Sequence, residues 1–123
     1  MSFIDSGSNA YFFADSSIPT CSGATEFYCP TSPQALTAIN TGHDGSTSPT
    51  LSFTITNLNS TNRAFFAVPG VGGTAASSSG TSMLSNDFDF GLPFFYGRSV
   101  FIGIAGLAGG SAGPVGPYYA YTQ

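Results

Sequence analysis

The chain has no lysine and no tryptophan, two arginines (Arg63 and Arg98) and one histidine, His43. Phosphate backbones are held by clustered Lys and Arg. Two cations in a chain of net charge −4 cannot form such a cluster, so nucleic acid is not expected as a partner. The same shortage argues against attraction to an anionic membrane surface. Long apolar runs are missing too. The longest, Phe101 to Ala108, is broken by Gly103 and Gly106. It falls well short of the about 20 residues that a membrane helix needs, so no span is expected. With one imidazole and two cysteines the chain lacks the ligands of a metal centre. No cofactor is expected either, because Gly70-Val71-Gly72-Gly73-Thr74 has no lysine of a phosphate loop. No Ser or Cys stands in a motif that would make a catalytic triad with His43. A basic stretch followed by a long apolar core is absent from the start of the sequence. If the protein is exported, the chain is therefore expected to be a piece of a longer one.

What the chain does have is twelve Phe, six Tyr, sixteen Gly and eight Pro. Leu, Ile, Val and Phe together stand just above the roughly 20% below which disorder becomes the expectation. The chain should therefore fold, as one domain at most. Abundant aromatics among Gly, Ser, Thr and Pro favour strands and turns over helices. Cys21 and Cys29 enclose a seven-residue loop. They read as a short disulfide, which would place the chain in an oxidising compartment, or else as two thiols.

Along the chain, Ser2–Asp5 reads as a strand, Asp5–Asn9 as a loop and Ala10–Phe13 as a second strand. Asp15–Pro33 reads as a loop region carrying both cysteines, with Asp15 capping a turn; Pro19, Pro30 and Pro33 exclude regular helix there. Ser32–Ile39 holds the one helical candidate, around Gln34-Ala35-Leu36. Thr41–Ser48 is turn-like, with His43 exposed. Thr50–Asn57 is the clearest strand, because Leu51, Phe53 and Ile55 alternate with Ser52, Thr54 and Thr56. After a turn at Leu58–Asn62, Arg63–Val68 reads as the returning strand of a hairpin. Pro69–Ser82 reads as a Gly/Ser-rich loop. Phe88–Gly91 is a short strand; Asp87 and Asp89 flank Phe88 and face one side, read as solvated rather than as an acidic pair. Leu92–Tyr96 is a short helical turn opened by Pro93, and Ser99–Ile104 a final strand. Ala105–Gly116 is Gly-rich, and Pro117–Gln123 is an aromatic tail whose tyrosines pack under the fold.

Near the start stands Phe3-Ile4-Asp5-Ser6-Gly7-Ser8, a carboxylate at the end of an apolar strand on a loop of hydroxyls and backbone N–H groups. Taken alone, Asp-Ser-Gly-Ser is also an ordinary turn in which the Asp accepts local N–H bonds. In the order hydrophobic-hydrophobic-Asp-Ser-Gly-Ser, it resembles the active-site loop of pepsin-like aspartic peptidases. The resemblance extends along the chain. It takes in the apolar strand Ala10-Tyr11-Phe12-Phe13 and the Pro-led strand Pro49-Thr50-Leu51-Ser52-Phe53-Thr54-Ile55. It ends with Phe90-Gly91, Leu92-Pro93-Phe94-Phe95, Arg98 and Val100-Phe101. More narrowly, Ile18-Pro19-Thr20-Cys21, Phe27-Tyr28-Cys29-Pro30 and Gly91-Leu92-Pro93-Phe94-Phe95-Tyr96-Gly97-Arg98 resemble an uncharacterised family of bacterial exported proteins with pepsin-like motifs. The second Asp-Thr/Ser-Gly motif of a complete peptidase is absent.

The resemblance implies an all-β, pepsin-like half-barrel lobe with long Gly/Ser-rich loops and at most one or two short helices. Residues 1–123 would be one lobe of a longer two-lobed protein. In such peptidases two adjacent carboxylates share a proton, one activating a water and the other polarising the scissile carbonyl of a peptide substrate. Carried over, Asp5 is one of the pair, and Ser6 braces the two loops. Gly7 lets its N–H reach the carboxylate, and Ser8 hydrogen-bonds the outer oxygen of Asp5. The second Asp would come from another lobe or from a second copy in a homodimer. The alternative is a non-catalytic exported β domain with a binding or structural role in the cell envelope or extracellular matrix, able to self-associate through strand edges. Both place the protein outside the cytoplasm, secreted or in the bacterial envelope.

Overall fold

Aromatic and β-branched residues in short runs, cut by Gly and Pro, give an all-β chain. The computed structural model describes residues 2–61, 68–75, 87–111 and 113–122. Ten strands lie in them: β1 Ser2–Ile4, β2 Tyr11–Phe13, β3 Thr20–Cys21, β4 Ala24–Tyr28, β5 Gln34–Ile39, β6 Thr50–Ile55, β7 Gly72–Thr74, β8 Phe88–Phe90, β9 Val100–Gly103 and β10 Tyr118–Tyr121. Two short 3₁₀ turns, Leu58–Ser60 and Leu92–Phe95, are the only helical pieces among the described residues.

Six strands form one mixed sheet in the order β1-β8-β2-β7-β4-β3. β8 inserts between β1 and β2, parallel to the first and antiparallel to the second. The connection from β1 to β2 must therefore arch over the end of β8. The other strands pair off as β5 with β6 and β9 with β10, both antiparallel. The core lies between β5/β6 and the main sheet. It gathers Tyr11, Phe13, Ile18, Tyr28, Leu51, Ile55, Phe90 and Phe94. Rings pack through it: Phe88 stacks on Phe90 at 4.3 Å and on Phe13 at 5.0 Å, and Tyr11 lies tilted against Phe53 at 4.9 Å. Such pairs add about 0.5–1.5 kcal/mol each beyond area burial.

Several expectations need correction. The helical candidate within Ser32–Ile39 is strand β5, with alternate residues turned inward, and β5 rather than Arg63–Val68 pairs with β6. A cross-strand ladder of six residue pairs outweighs the modest helix propensity of Gln, Ala and Leu. Residues 63–67 of the expected return strand lie outside the described residues. The Asp15–Pro33 loop contains the β3/β4 hairpin. Within the expected Pro69–Ser82 loop, Gly72–Thr74 is strand β7 inside the main sheet, between β2 and β4. Glycine is required there by crowding. A Cβ on Gly73 would stand 2.5 Å from the Phe12 ring and 2.6 Å from the Glu26 carbonyl, and one on Gly72 would stand 2.7 Å from Ile55. The tail is strand β10, and its Tyr121 packs edge-on against Phe94.

Cys21 and Cys29 form a disulfide that closes the β3/β4 hairpin. Loop-closure entropy for so short a ring corresponds to about 2.5 kcal/mol. A Cys21→Ser/Cys29→Ser double variant should therefore unfold at clearly lower urea than the wild type. An unchanged midpoint would show that the bridge contributes nothing to stability.

Candidate functional site at the arch over strand β8

β1 delivers Asp5 just beyond the end of β8, and β2 begins at Tyr11 opposite Phe90. The arch between them is tied to β8 at both ends. The Asp5 N–H donates to the Phe90 carbonyl at 3.0 Å, and the Leu92 N–H donates to the Ser8 carbonyl at 2.7 Å. Between these bonds the arch presses directly on Gly91. A Cβ there would overlap the Ala10 carbonyl oxygen and reach within 2.8 Å of the Ser8 carbonyl oxygen. The Gly91 backbone is otherwise ordinary, with φ −71°. Glycine is needed for space and not for conformation.

Within the arch Asp5 is half-buried, and its two oxygens have different partners. Oδ1 accepts the Gly7 N–H at 2.7 Å, and Oδ2 lies 3.3 Å from the Ser8 hydroxyl. Gly7 and Ser6 are exposed. A Cβ on Gly7 would sit 3.0 Å from Asp5 Oδ1, so the bare backbone allows the short N–H contact.

The Ser8 hydroxyl has a second partner. It lies 2.5 Å from Oδ2 of Asp89. Asp89 does not sit on a solvated face with Asp87; it is only 3% exposed. Its register partners on β1 and β2 are Phe3 and Phe12, which stand on the same face of the sheet. Burial holds its carboxyl above the usual carboxylate range. A Ser8 hydroxyl that donates to Asp89 works the other way, and the nearby charge of Asp5 pushes further up. Among the described residues, Asp89 Oδ1 has no hydrogen-bond partner. Sequence reading placed Asp89 correctly on a strand but on the wrong side of the water boundary. One signal was available: an acid stands beside Phe90 directly before Gly91, where a second apolar residue would suit a central strand.

The other singled-out residues serve the scaffold. Asp15 Oδ1 accepts the N–H and hydroxyl of Ser17, a turn cap. Asp44 does the same for Ser46, and those bonds lower its carboxyl pKa. His43 is exposed. Arg98 lies over the Phe94 ring at 5.0 Å and donates to the Phe94 carbonyl at 2.9 Å. A groove of about 330 Å³ runs past Tyr11, Phe53, Thr56, Pro93, Tyr96 and Arg98, and Asp5 is not among its lining residues. Burial raises the Tyr11 hydroxyl pKa there, against the opposing charge of Arg98. Among the described residues no cluster of three or more His, Cys, Asp or Glu could hold a metal, and no helix is long and apolar enough to cross a membrane.

Residues 1–121 match the family described as Protein of unknown function (DUF3443), and the chain belongs to that family. No curated protein and no solved structure matches it significantly.

Proposed function

Starting from a family whose description assigns no activity, we propose that this chain is a pepsin-like lobe. It contributes Asp5 as one carboxylate of a water-activating pair that hydrolyses peptide bonds. The reading is carried by the arch itself. The Asp-Ser-Gly-Ser segment and the distant Phe90-Gly91 segment, both drawn from the pepsin-like pattern, are in direct contact. Asp5 is fixed by two partners on its own arch and remains half-buried, so a face of the carboxylate is left for a second acid. A lone Asp does not make the pair, so activity requires a second lobe or a second copy of the chain. The disulfide supports an exported protein, secreted or in the bacterial envelope.

The test is cleavage of an unfolded protein substrate at acid pH by the assembled protein. Asp5→Asn should lower the rate by a factor on the order of 10³ or more, because it removes a proton-transfer group without changing side-chain size. Equal cleavage by wild type and variant, or none by either, sinks the proposal. A structure of the assembly should place a second carboxylate against Asp5.

A second reading is favoured by the β9/β10 ribbon. Phe101, Ile102 and Tyr119 on it are 59%, 65% and 50% exposed. Ile104, Leu107 and Val115 beside it are exposed as well, and among the described residues the main sheet ends on β1 and β3. Such apolar surface suits a non-catalytic domain that binds or self-associates in the envelope. On that reading Asp5→Asn leaves association unchanged.

A further inference from the structure

We infer that Asp89 is a neutral carboxylic acid in the folded protein and acts through Ser8 as a positioning residue for Asp5. Its proton is donated to Ser8 Oγ, and the Ser8 proton is donated to Asp5 Oδ2. The inference adds a residue that neither the sequence motif nor the proposed hydrolysis calls for.

A serine hydroxyl carries one hydrogen and two acceptor sites. Ser8 Oγ stands within hydrogen-bond distance of two carboxyl oxygens, Oδ2 of Asp5 in its own arch and Oδ2 of Asp89, which lies 81 positions further along the chain. If both carboxyls were ionised, one contact would set two oxygens face to face with no hydrogen between them. One added proton satisfies both contacts, provided that it sits on one of the two acids.

The two acids differ in their surroundings. Asp5 is half-buried, and its Oδ1 already accepts the Gly7 N–H at 2.7 Å. Those contacts suit a charge. Asp89 is buried, and its Oδ1 has no hydrogen-bond partner among the described residues. An ionised Asp89 would leave half its charge on that orphan oxygen, which is expensive in an apolar setting. In a neutral acid the same atom is a carbonyl oxygen, whose isolation costs far less. Among the described residues, the surroundings of Asp89 offer no cation. β1 presents Phe3, β2 presents Phe12, and the arch presents Ser8 and Asp5, of which Asp5 alone can carry charge. Glu26, on β4, is exposed. The proton therefore belongs on Asp89, and the chain runs Asp89 to Ser8 to Asp5. If Asp5 is the hydrolytic carboxylate, this chain fixes which of its oxygens faces the arch. The protonation pattern itself does not depend on that use.

Carbon-13 NMR of the carboxyl groups in the whole chain tests this directly, since six acidic residues give a small set of signals. As pH rises, the Asp89 carboxyl should keep the shift of a neutral acid after the exposed carboxyls have ionised. Asp89→Asn, whose amide N–H replaces the acid proton, should leave the Asp5 carboxyl shift in place. Asp89→Ala frees Ser8 and should move it. If Asp89 ionises together with the exposed carboxyls, the inference falls, whether or not either variant folds. It falls equally if the Asn and Ala variants move Asp5 alike. Peptide cleavage enters neither readout, so failure of the hydrolytic reading would leave this result standing.

Discussion

A Gly91→Ala variant should fail to fold, or fold with a loss of about 4 kcal/mol or more. The added methyl would occupy the space of the Ala10 carbonyl oxygen and press on the Ser8 carbonyl oxygen. Both are backbone atoms and cannot rotate away. They are also held in place: the Ser8 carbonyl accepts from Leu92, and Tyr11, next to Ala10, donates to the Val71 carbonyl at 3.0 Å. Relief would require lifting the arch off β8. That would break the Leu92 bond and separate Asp89 from Ser8. Losses above about 4 kcal/mol are exceptional for point variants and have identifiable causes, of which a backbone collision in a packed site is one. Against a total stability of about 5–15 kcal/mol, such a loss leaves little folded protein. The control is Gly23→Ala, where an added Cβ meets nothing within 4 Å. Circular dichroism with urea titration of the two variants decides the matter. A Gly91→Ala protein as stable as Gly23→Ala would show that the arch does not bear on this glycine.

Phe94→Ala should lower stability by about 3–5 kcal/mol, the range for emptying a buried phenylalanine site. Phe94 is 1% exposed and stands between the main sheet and the β9/β10 ribbon. Its ring meets Phe90 of the main sheet at 5.3 Å and Tyr121 of the β9/β10 ribbon at 5.0 Å, both edge-on. Arg98 lies over it. Its loss would therefore leave a cavity and loosen the ribbon together. Phe101→Ala, on the exposed side of that ribbon, should change stability by no more than about 0.5 kcal/mol. If urea midpoints of the two variants coincide, Phe94 does not join the ribbon to the main sheet.

The Asp89 carboxyl also gives stability a pH dependence whose sign is fixed. Its folded pKa lies above the ordinary 3.8. The folded state therefore holds the proton over a range where the unfolded chain has lost it. The stabilising contribution is complete below the unfolded value and fades as pH rises through the folded one. Asp89→Asn should remove this part of the slope. A wild-type urea midpoint that does not fall over that interval relative to the variant would count against a buried, proton-holding Asp89.

The residues by themselves determined local order. Alternation of Leu51, Phe53 and Ile55 specified β6, because a period of two fits only a strand with one covered face. Aromatic, Gly and Pro content specified an all-β chain, Pro93 marked the 3₁₀ turn that follows Gly91, and the spacing of Cys21 and Cys29 allowed the bridge that forms. Asp5, Ser6, Gly7 and Ser8 stood out as a loop at a strand end, and the chain places them there. Tertiary structure decided what local pattern could not. Gln34–Ile39 became a strand because β6 lay available as a ladder partner. Gly72–Thr74 became an inner strand because bulky neighbours left room only for glycine. Asp89 became buried because β8 is flanked on both sides and capped by the arch; alternation says which residues share a face, but not which faces the rest of the chain will cover.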